Sequence, residues 1–187
     1  LHLSLRRQRQ MCIRDSNGNN EVQSGDGLDT VITGSGDDLI VGNGAGADSV
    51  QAGAGSDTVD GNNGSDTIDG GDGDDLIQGN AAADNLFGGN GNDTFFYEDG
   101  EFIAAETVNG GTGVNAIQLN ADGQVIADAA FANKSNLSQI GTSNGNNSLT
   151  LGALAAAATA NRSDRFRERH GQCVGSRRGL LLGIERR

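Results

Sequence analysis

The sequence predicts an all-β protein wound as a right-handed parallel β-roll, that is, a β-solenoid, followed by a β-rich extension and flanked by disordered ends. Three observations predict it. A nine-residue period runs through the middle of the chain. Each period joins a Gly/Asn-rich half to a short half that alternates polar and apolar residues. The composition, with 31 Gly, no Pro and only 4% aromatic residues, also rules out a conventional bulky core.

Aligned on aspartate, the units are SGDGLDTVI (Ser24–Ile32), TGSGDDLIV (Thr33–Val41), NGAGADSVQ (Asn43–Gln51) and AGAGSDTVD (Ala52–Asp60). They continue as GNNGSDTID (Gly61–Asp69), GGDGDDLIQ (Gly70–Gln78), GNAAADNLF (Gly79–Phe87) and GGNGNDTFF (Gly88–Phe96). Every unit has Asp in sixth place and an apolar residue in eighth. A flexible glycine-rich linker has no reason to hold two positions in register through eight copies. The first half of a unit suits a tight turn with positive φ, and the second half suits a short strand. Two turns close one coil of about 18 residues, and successive coils stack as parallel strands ~4.8 Å apart. The inward row is expected to be Val31, Ile40, Val50, Val59, Ile68, Ile77, Leu86 and Phe95. The one inserted residue, Gly42, must fall in a turn, because an extra residue within a strand would exchange its faces.

Charge sorts the chain into segments. Between Asn17 and Ala160 there are 21 acidic residues against a single base, Lys134, while every Arg lies outside that stretch. So acidic a surface repels nucleic acid and anionic lipid and attracts cations. The flanks differ in character. Met11–Ser16 (MCIRDS) reads as a translation of the transposon end used in sequencing libraries, and Asn161–Arg187 abruptly gains eight Arg. Residues 1–16 are therefore expected to be a non-native flank and 161–187 a frameshifted or chimeric tail. Between them, 17–97 form the roll and 98–160 a degenerate repeat with a β-rich extension, in which Ala116–Leu119 and Ser148–Leu151 read as strands. Cys12 and Cys173 both sit in the flanks, leaving the acidic middle without thiolates. No apolar run approaches the ~20 residues of a membrane span.

Stacking alternate units places Asp29, Asp48, Asp66 and Asp84 in one column and Asp38, Asp57, Asp75 and Asp93 in another. Carboxylates ~5 Å apart repel by roughly 1 kcal/mol per pair in water and more where water is excluded, so the columns call for a counter-ion. Calcium fits: oxygens on opposite sides of the ion lie at twice ~2.4 Å, which matches the strand spacing. Several structural Ca²⁺ ions are expected between stacked turns, held by these eight aspartates and by backbone carbonyls of the glycine-rich loops. Magnesium requires a tighter octahedron, and zinc lacks its His and Cys ligands here. A single file of inward side chains is a thin core for ~80 ordered residues. The roll is expected to be largely unfolded without metal and to fold on binding it.

The units resemble the G-G-x-G-x-D-x-U-x nonapeptide of the RTX (haemolysin-type calcium-binding) family, strongly over Ser24–Phe96. The likeness is weaker at Asn17–Gln23 and at Gly110–Gln118 (GGTGVNAIQ), where Asn115 replaces Asp. Unit Gly79–Phe87 has Asn80 and Ala82 where the family has Gly, so the turn carrying Asp84 is expected to be strained and its site weak or empty. Asp26 and Asp72 are expected to face solvent. The resemblance implies export from a Gram-negative bacterium by type I secretion and folding outside the cell, where calcium is plentiful. The β-rich stretch after the roll resembles segments of very large surface and adhesin-like proteins.

No enzyme is legible in the chain. Its two histidines, His2 and His170, lie in the flanks. No Gly-x-Gly pair completes a nucleotide-binding motif, and Asp72-Gly73-Asp74-Asp75 lacks the sixth-place Gly and twelfth-place acid of an EF-hand. Three readings follow: a calcium-stabilised spacer or adhesin-like module of a large secreted protein, the repeat domain of a secreted metalloprotease, lipase or lyase whose catalytic part is missing here, or a surface-binding roll. The last wants an unbroken threonine face, and Leu39, Ser49, Leu76 and Asn85 interrupt it. A cell-surface or polysaccharide partner would suit the first.

Overall fold

The structure, a computed structural model, describes residues 12–14, 17–42, 44–98, 100–120, 125–142, 148–149 and 173–174. In chain order its strands are β1 (Cys12–Arg14), β2 (Glu21–Gln23), β3 (Thr30–Ile32), β4 (Leu39–Val41), β5 (Ser49–Ala54), β6 (Thr58–Asp60), β7 (Thr67–Asp72) and β8 (Leu76–Gln78). There follow β9 (Asn85–Asn90), β10 (Thr94–Tyr97), β11 (Thr107–Asn109), β12 (Ala116–Leu119), β13 (Val125–Ile126), β14 (Lys134–Ser135), β15 (Gln139–Thr142), β16 (Ser148–Leu149) and β17 (Cys173–Val174). Through β12 they alternate between two seven-stranded sheets, ordered β1-β3-β5-β7-β9-β11-β14 and β15-β12-β10-β8-β6-β4-β2. Every pairing within these two sheets is parallel. This is a parallel β-solenoid.

Register follows from the period. Val50 lies opposite Ile68 and Ile68 opposite Leu86, one coil of 18 residues apart. Across Gly42 the step is 19, as Val31 to Val50 and Ile40 to Val59. The extra residue falls between strands, so both faces keep their identity. All eight expected inward residues are buried, and Val22, Val108, Ile117 and Ile140 extend the same rows. The core is thus two facing files of one aliphatic or aromatic side chain per strand.

The two edges of the roll differ. On the edge carrying Asp57, Asp75 and Asp93, β5, β7 and β9 run on into the turn, pairing Gly53 with Gly71 and Gly71 with Gly89. On the other edge the described turns meet in the isolated bridges Ala45–Asn63 and Asn63–Ala81. Here Asn62, Asn80 and Ala82 hold positive φ (65°, 66° and 92°). Asparagine tolerates that conformation; alanine does not, so the expected strain lies at Ala82.

Beyond Phe96 the chain keeps winding. β11 pairs with β9, β12 with β10, and β14 and β15 stack on these in turn. The return from Asp84 to Glu106 takes 22 residues; Phe102, from that longer connection, packs edge-on against Tyr97 and Phe131. In the N-terminal flank, Cys12–Arg14 forms β1, in register with Thr30–Ile32. The open edge of β3 has unpaired backbone groups that a three-residue strand satisfies. β16 matches the first half of the expected strand Ser148–Leu151 and pairs with β13 and β17. Thr150, Leu151 and the remaining flank residues lie outside the described residues.

Candidate functional site

The eight repeat aspartates form two ladders, one along each edge of the roll. All are buried, from 0% exposed at Asp66 and Asp93 to 7% at Asp48. Each stands immediately before a strand and its carbonyl belongs to the sheet: Asn85 N–H donates to Asp66 O and Thr94 N–H to Asp75 O, both at 2.8 Å. One carboxylate oxygen is committed to the stack. In the first ladder the amide of Asp29 donates to Asp48 Oδ1 (2.9 Å), Asp48 to Asp66 (2.8 Å) and Asp66 to Asp84 (2.8 Å). In the second, Asp38 donates to Asp57 (2.8 Å), Asp57 to Asp75 (2.9 Å) and Asp75 to Asp93 (3.1 Å). Asparagines stand at both ends of that second ladder: Asn20 N–H donates to Asp38 Oδ1, and Asp93 N–H to Asn115 Oδ1.

The second oxygen has no such use. Oδ2 of Asp38, Asp57, Asp66, Asp75, Asp84 and Asp93 is buried and meets no hydrogen-bond donor among the described residues. Those of Asp66, Asp75, Asp84 and Asp93 point into the space that the first residue of their unit leaves open by being glycine, whereas the units of Asp38 and Asp57 open with Thr33 and Ala52. A Cβ on Gly61 would meet Asp66 Oδ2 at 2.5 Å and Gly79 O at 3.1 Å. On Gly70 it would strike Asp75 Oδ2 and meet Gly88 O at 2.8 Å; on Gly88, Asp93 Oδ2 and Gly110 O at 2.8 Å. A carboxylate oxygen and the next coil's carbonyl oxygen thus face one space with no proton between them. Buried oxygens so arranged are costly unless a cation lies among them.

Electrostatics agrees. Burial first, then neighbouring carboxylates, pushes Asp66 and Asp75 from 3.8 to about 7 and Asp84 and Asp93 to about 6; hydrogen bonds from the preceding coil oppose the rise. Asp48 and Asp57 are raised for the same reasons. Among the described residues, no three His, Cys, Asp or Glu side chains come together as a ready-made cluster. A cation here must draw on backbone carbonyls as well as carboxylates. That donor set, all oxygen and partly main chain, suits calcium, which takes six to eight such ligands in flexible geometry. Asp26, Asp72 and Asp74 are exposed on the turns, outside the ladders.

Two functional positions escape a search for Asp at fixed spacing. Glu106 follows Asp84 in the first ladder: Thr107 pairs with Asn85, and Thr107 N–H donates to Asp84 O at 2.8 Å. Its carboxyl is buried, 1% exposed, beside the Tyr97 hydroxyl and within the field of the Lys134 ammonium. Lys134 lies opposite Val108, in the inward row. Burial raises the pKa of Glu106 and lowers that of Lys134, each held back by the other's charge. The signal for Glu106 was present: Glu106-Thr107-Val108-Asn109-Gly110 copies Asp57-Thr58-Val59-Asp60-Gly61 with each acid replaced by its nearest relative.

The family described as RTX calcium-binding nonapeptide repeat (4 copies) matches the chain three times, over residues 14–44, 43–77 and 69–101. No curated protein and no solved structure matches it. The matched residues are those whose aspartates form the ladders, and residues 14–101 therefore belong to the RTX family of calcium-binding nonapeptide repeats, here wound as a β-roll.

Proposed function

We propose that the chain is a calcium-folded structural module of a large secreted bacterial protein, serving as a spacer or adhesin-like segment rather than as a catalyst. The observation that carries this reading is the file of buried Oδ2 atoms without donors, of which those of Asp66, Asp75 and Asp93 share their space with a backbone carbonyl of the next coil. In this reading Asp29, Asp48, Asp66 and Asp84 hold ions along one edge and Asp38, Asp57, Asp75 and Asp93 along the other. Asp84 has the weakest site, because its turn contains Ala82 at positive φ. Calcium neutralises the ladders and ties each coil to the next, so metal binding and folding are one event. A chain that is unfolded in calcium-poor cytoplasm and folds outside suits type I export from a Gram-negative cell. Continuation of the same two sheets through β15 supports an extended, spacer-like role, with a cell-surface or polysaccharide partner. Among the described residues no helix is long and apolar enough to cross a membrane.

Equilibrium dialysis of the chain against millimolar calcium tests the reading. Several bound ions are expected, fewer in Asp57→Ala and Asp66→Ala, and their absence would overturn it. The gene upstream decides the module's setting: further β-repeats place it in an adhesin-like protein, whereas a zincin or G-x-S-x-G motif would make it the repeat domain of a secreted enzyme.

A further inference from the structure

The ladders end differently from the way they run, and the ends show what the chain does where its aspartates stop. Asn115 stacks on Asp93 as one aspartate stacks on the next, since Oδ1 accepts Asp93 N–H at 2.9 Å. Its other arm is changed. Nδ2 donates to Gly110 O at 2.6 Å and to Asn136 O at 3.1 Å. Gly110 opens the unit GGTGVNAIQ as Gly88 opens the unit of Asp93. A Cβ on Gly110 would meet Asn115 Nδ2 at 2.6 Å, and the next coil's carbonyl, here Asn136 O. The cradle is the one described for the aspartates, filled by an amide that supplies the donors an Asp coil lacks.

The opposite edge closes with a different donor. After Glu106 the inward row receives Lys134, which is 5% exposed. Its ammonium donates to Ile103 O (2.7 Å), Glu106 O (2.9 Å) and Ala132 O (3.4 Å), and lies 5.0 Å from the centre of the Phe102 ring. All three ammonium protons are used, and the only base of the acidic middle is spent on main-chain oxygens.

We propose that the roll ends in a metal-independent cap, formed by residues 106–120 and 125–142, in which the Asn115 amide takes the carbonyl oxygens that face the carboxylate in an aspartate cradle and the Lys134 ammonium takes main-chain oxygens left at the opposite edge, among them Glu106 O, whose counterparts in the aspartate coils accept an N–H of the next coil. This rests on the calcium reading for the contrast it draws, but the cap's independence of metal is measurable by itself. In chelator the aspartate coils open while the cap stays formed, and the single change Asn115→Asp converts its second-ladder position into one more calcium site.

Hydrogen exchange on the full chain, with and without chelator, tests this. In chelator, amides of 107–119 and 134–142 should exchange roughly tenfold or more slowly than those of 30–87; equally fast exchange in both would overturn the cap. Asn115→Ala and Asn115→Asp should each weaken cap protection in chelator. Calcium should restore it fully in Asn115→Asp alone, with one ion more than wild type by native mass spectrometry. Identical behaviour of the two variants in calcium would also overturn the proposal. If wild type binds no calcium in the same spectra, the functional reading fails, while its exchange pattern in chelator still decides whether the cap stands without metal.

Discussion

Replacing Asp75 with asparagine should move the stability of the roll in opposite directions with and without calcium. Asp75 is in the interior of the second ladder. Its Oδ1 accepts the Asp57 amide at 2.9 Å, and its own amide donates to Asp93 Oδ1 at 3.1 Å. Burial, followed by the charges of Asp57, Asp93 and Asp74, raises its carboxyl from 3.8 to about 7. Asparagine keeps the Oδ1 acceptor and deletes the charge, the substitution the chain itself carries at Asn115. At 1.36 kcal/mol per pH unit the raised pKa sets a ceiling of about 4 kcal/mol on the relief. The ladder runs along the edge of a narrow roll, so solvent screening reduces this to about 1–2 kcal/mol. In chelator at pH 8 the variant should therefore fold more readily, at a lower concentration of a stabilising osmolyte. With calcium it loses a ligand. An ion at 100 times its Kd contributes about 2.7 kcal/mol, which exceeds the relief and leaves the variant about 1 kcal/mol less stable in urea unfolding. Circular dichroism reads both experiments. A change of the same sign in chelator and in calcium would refute the reasoning.

Three further predictions concern pH, core and turn. The folded carboxyls of Asp66 and Asp75 lie at about 7 and those of Asp84 and Asp93 at about 6, above their ordinary 3.8. Raised acids stabilise the fold when protonated, so their contribution is complete below about pH 4 and is lost as pH rises through 6 to 7. The metal-free chain should gain β-structure on acidification from pH 8 to pH 4.5 in chelator; loss of ellipticity over that range would contradict the ladder geometry. Ile77→Ala, at a fully buried inward position, should cost about 2–5 kcal/mol and raise the calcium midpoint for folding, whereas an unchanged midpoint would mean the inward row contributes little. Ala82→Gly should stabilise the roll by about 1 kcal/mol by releasing the 92° φ, and a lower urea midpoint would show that the turn is not strained there.

Much of the fold was legible in the sequence because the repeat constrains backbone and side chain together. Asp in sixth place and an apolar residue in eighth fix both the turn and the inward face. Val31 through Phe95 and both aspartate columns consequently lie where the period puts them. Gly42 could be assigned to a turn because a strand offers no neutral place for an extra residue. The pattern failed where chemistry was conserved but letters were not. Glu106 continues a ladder after a longer connection that breaks the period, and Lys134 takes an inward place that any hydrophobicity rule would deny it. A buried lysine is acceptable there because the carbonyls of Ile103 and Glu106, distant in sequence, join that of nearby Ala132 around it, a fact of three-dimensional closure that local spacing does not encode. Asn115 was visible as a departure, but its role depends on which carbonyls its amide meets.

The most direct test of the account is a far-UV circular dichroism titration of the chain from chelator to ~10 mM calcium, with magnesium as control, a range that covers extracellular-type affinities. The account predicts a cooperative gain of β-structure with calcium and none with magnesium, starting from a chain whose only persistent structure is the cap. A roll already complete in chelator, or one that forms equally well with magnesium, would contradict it.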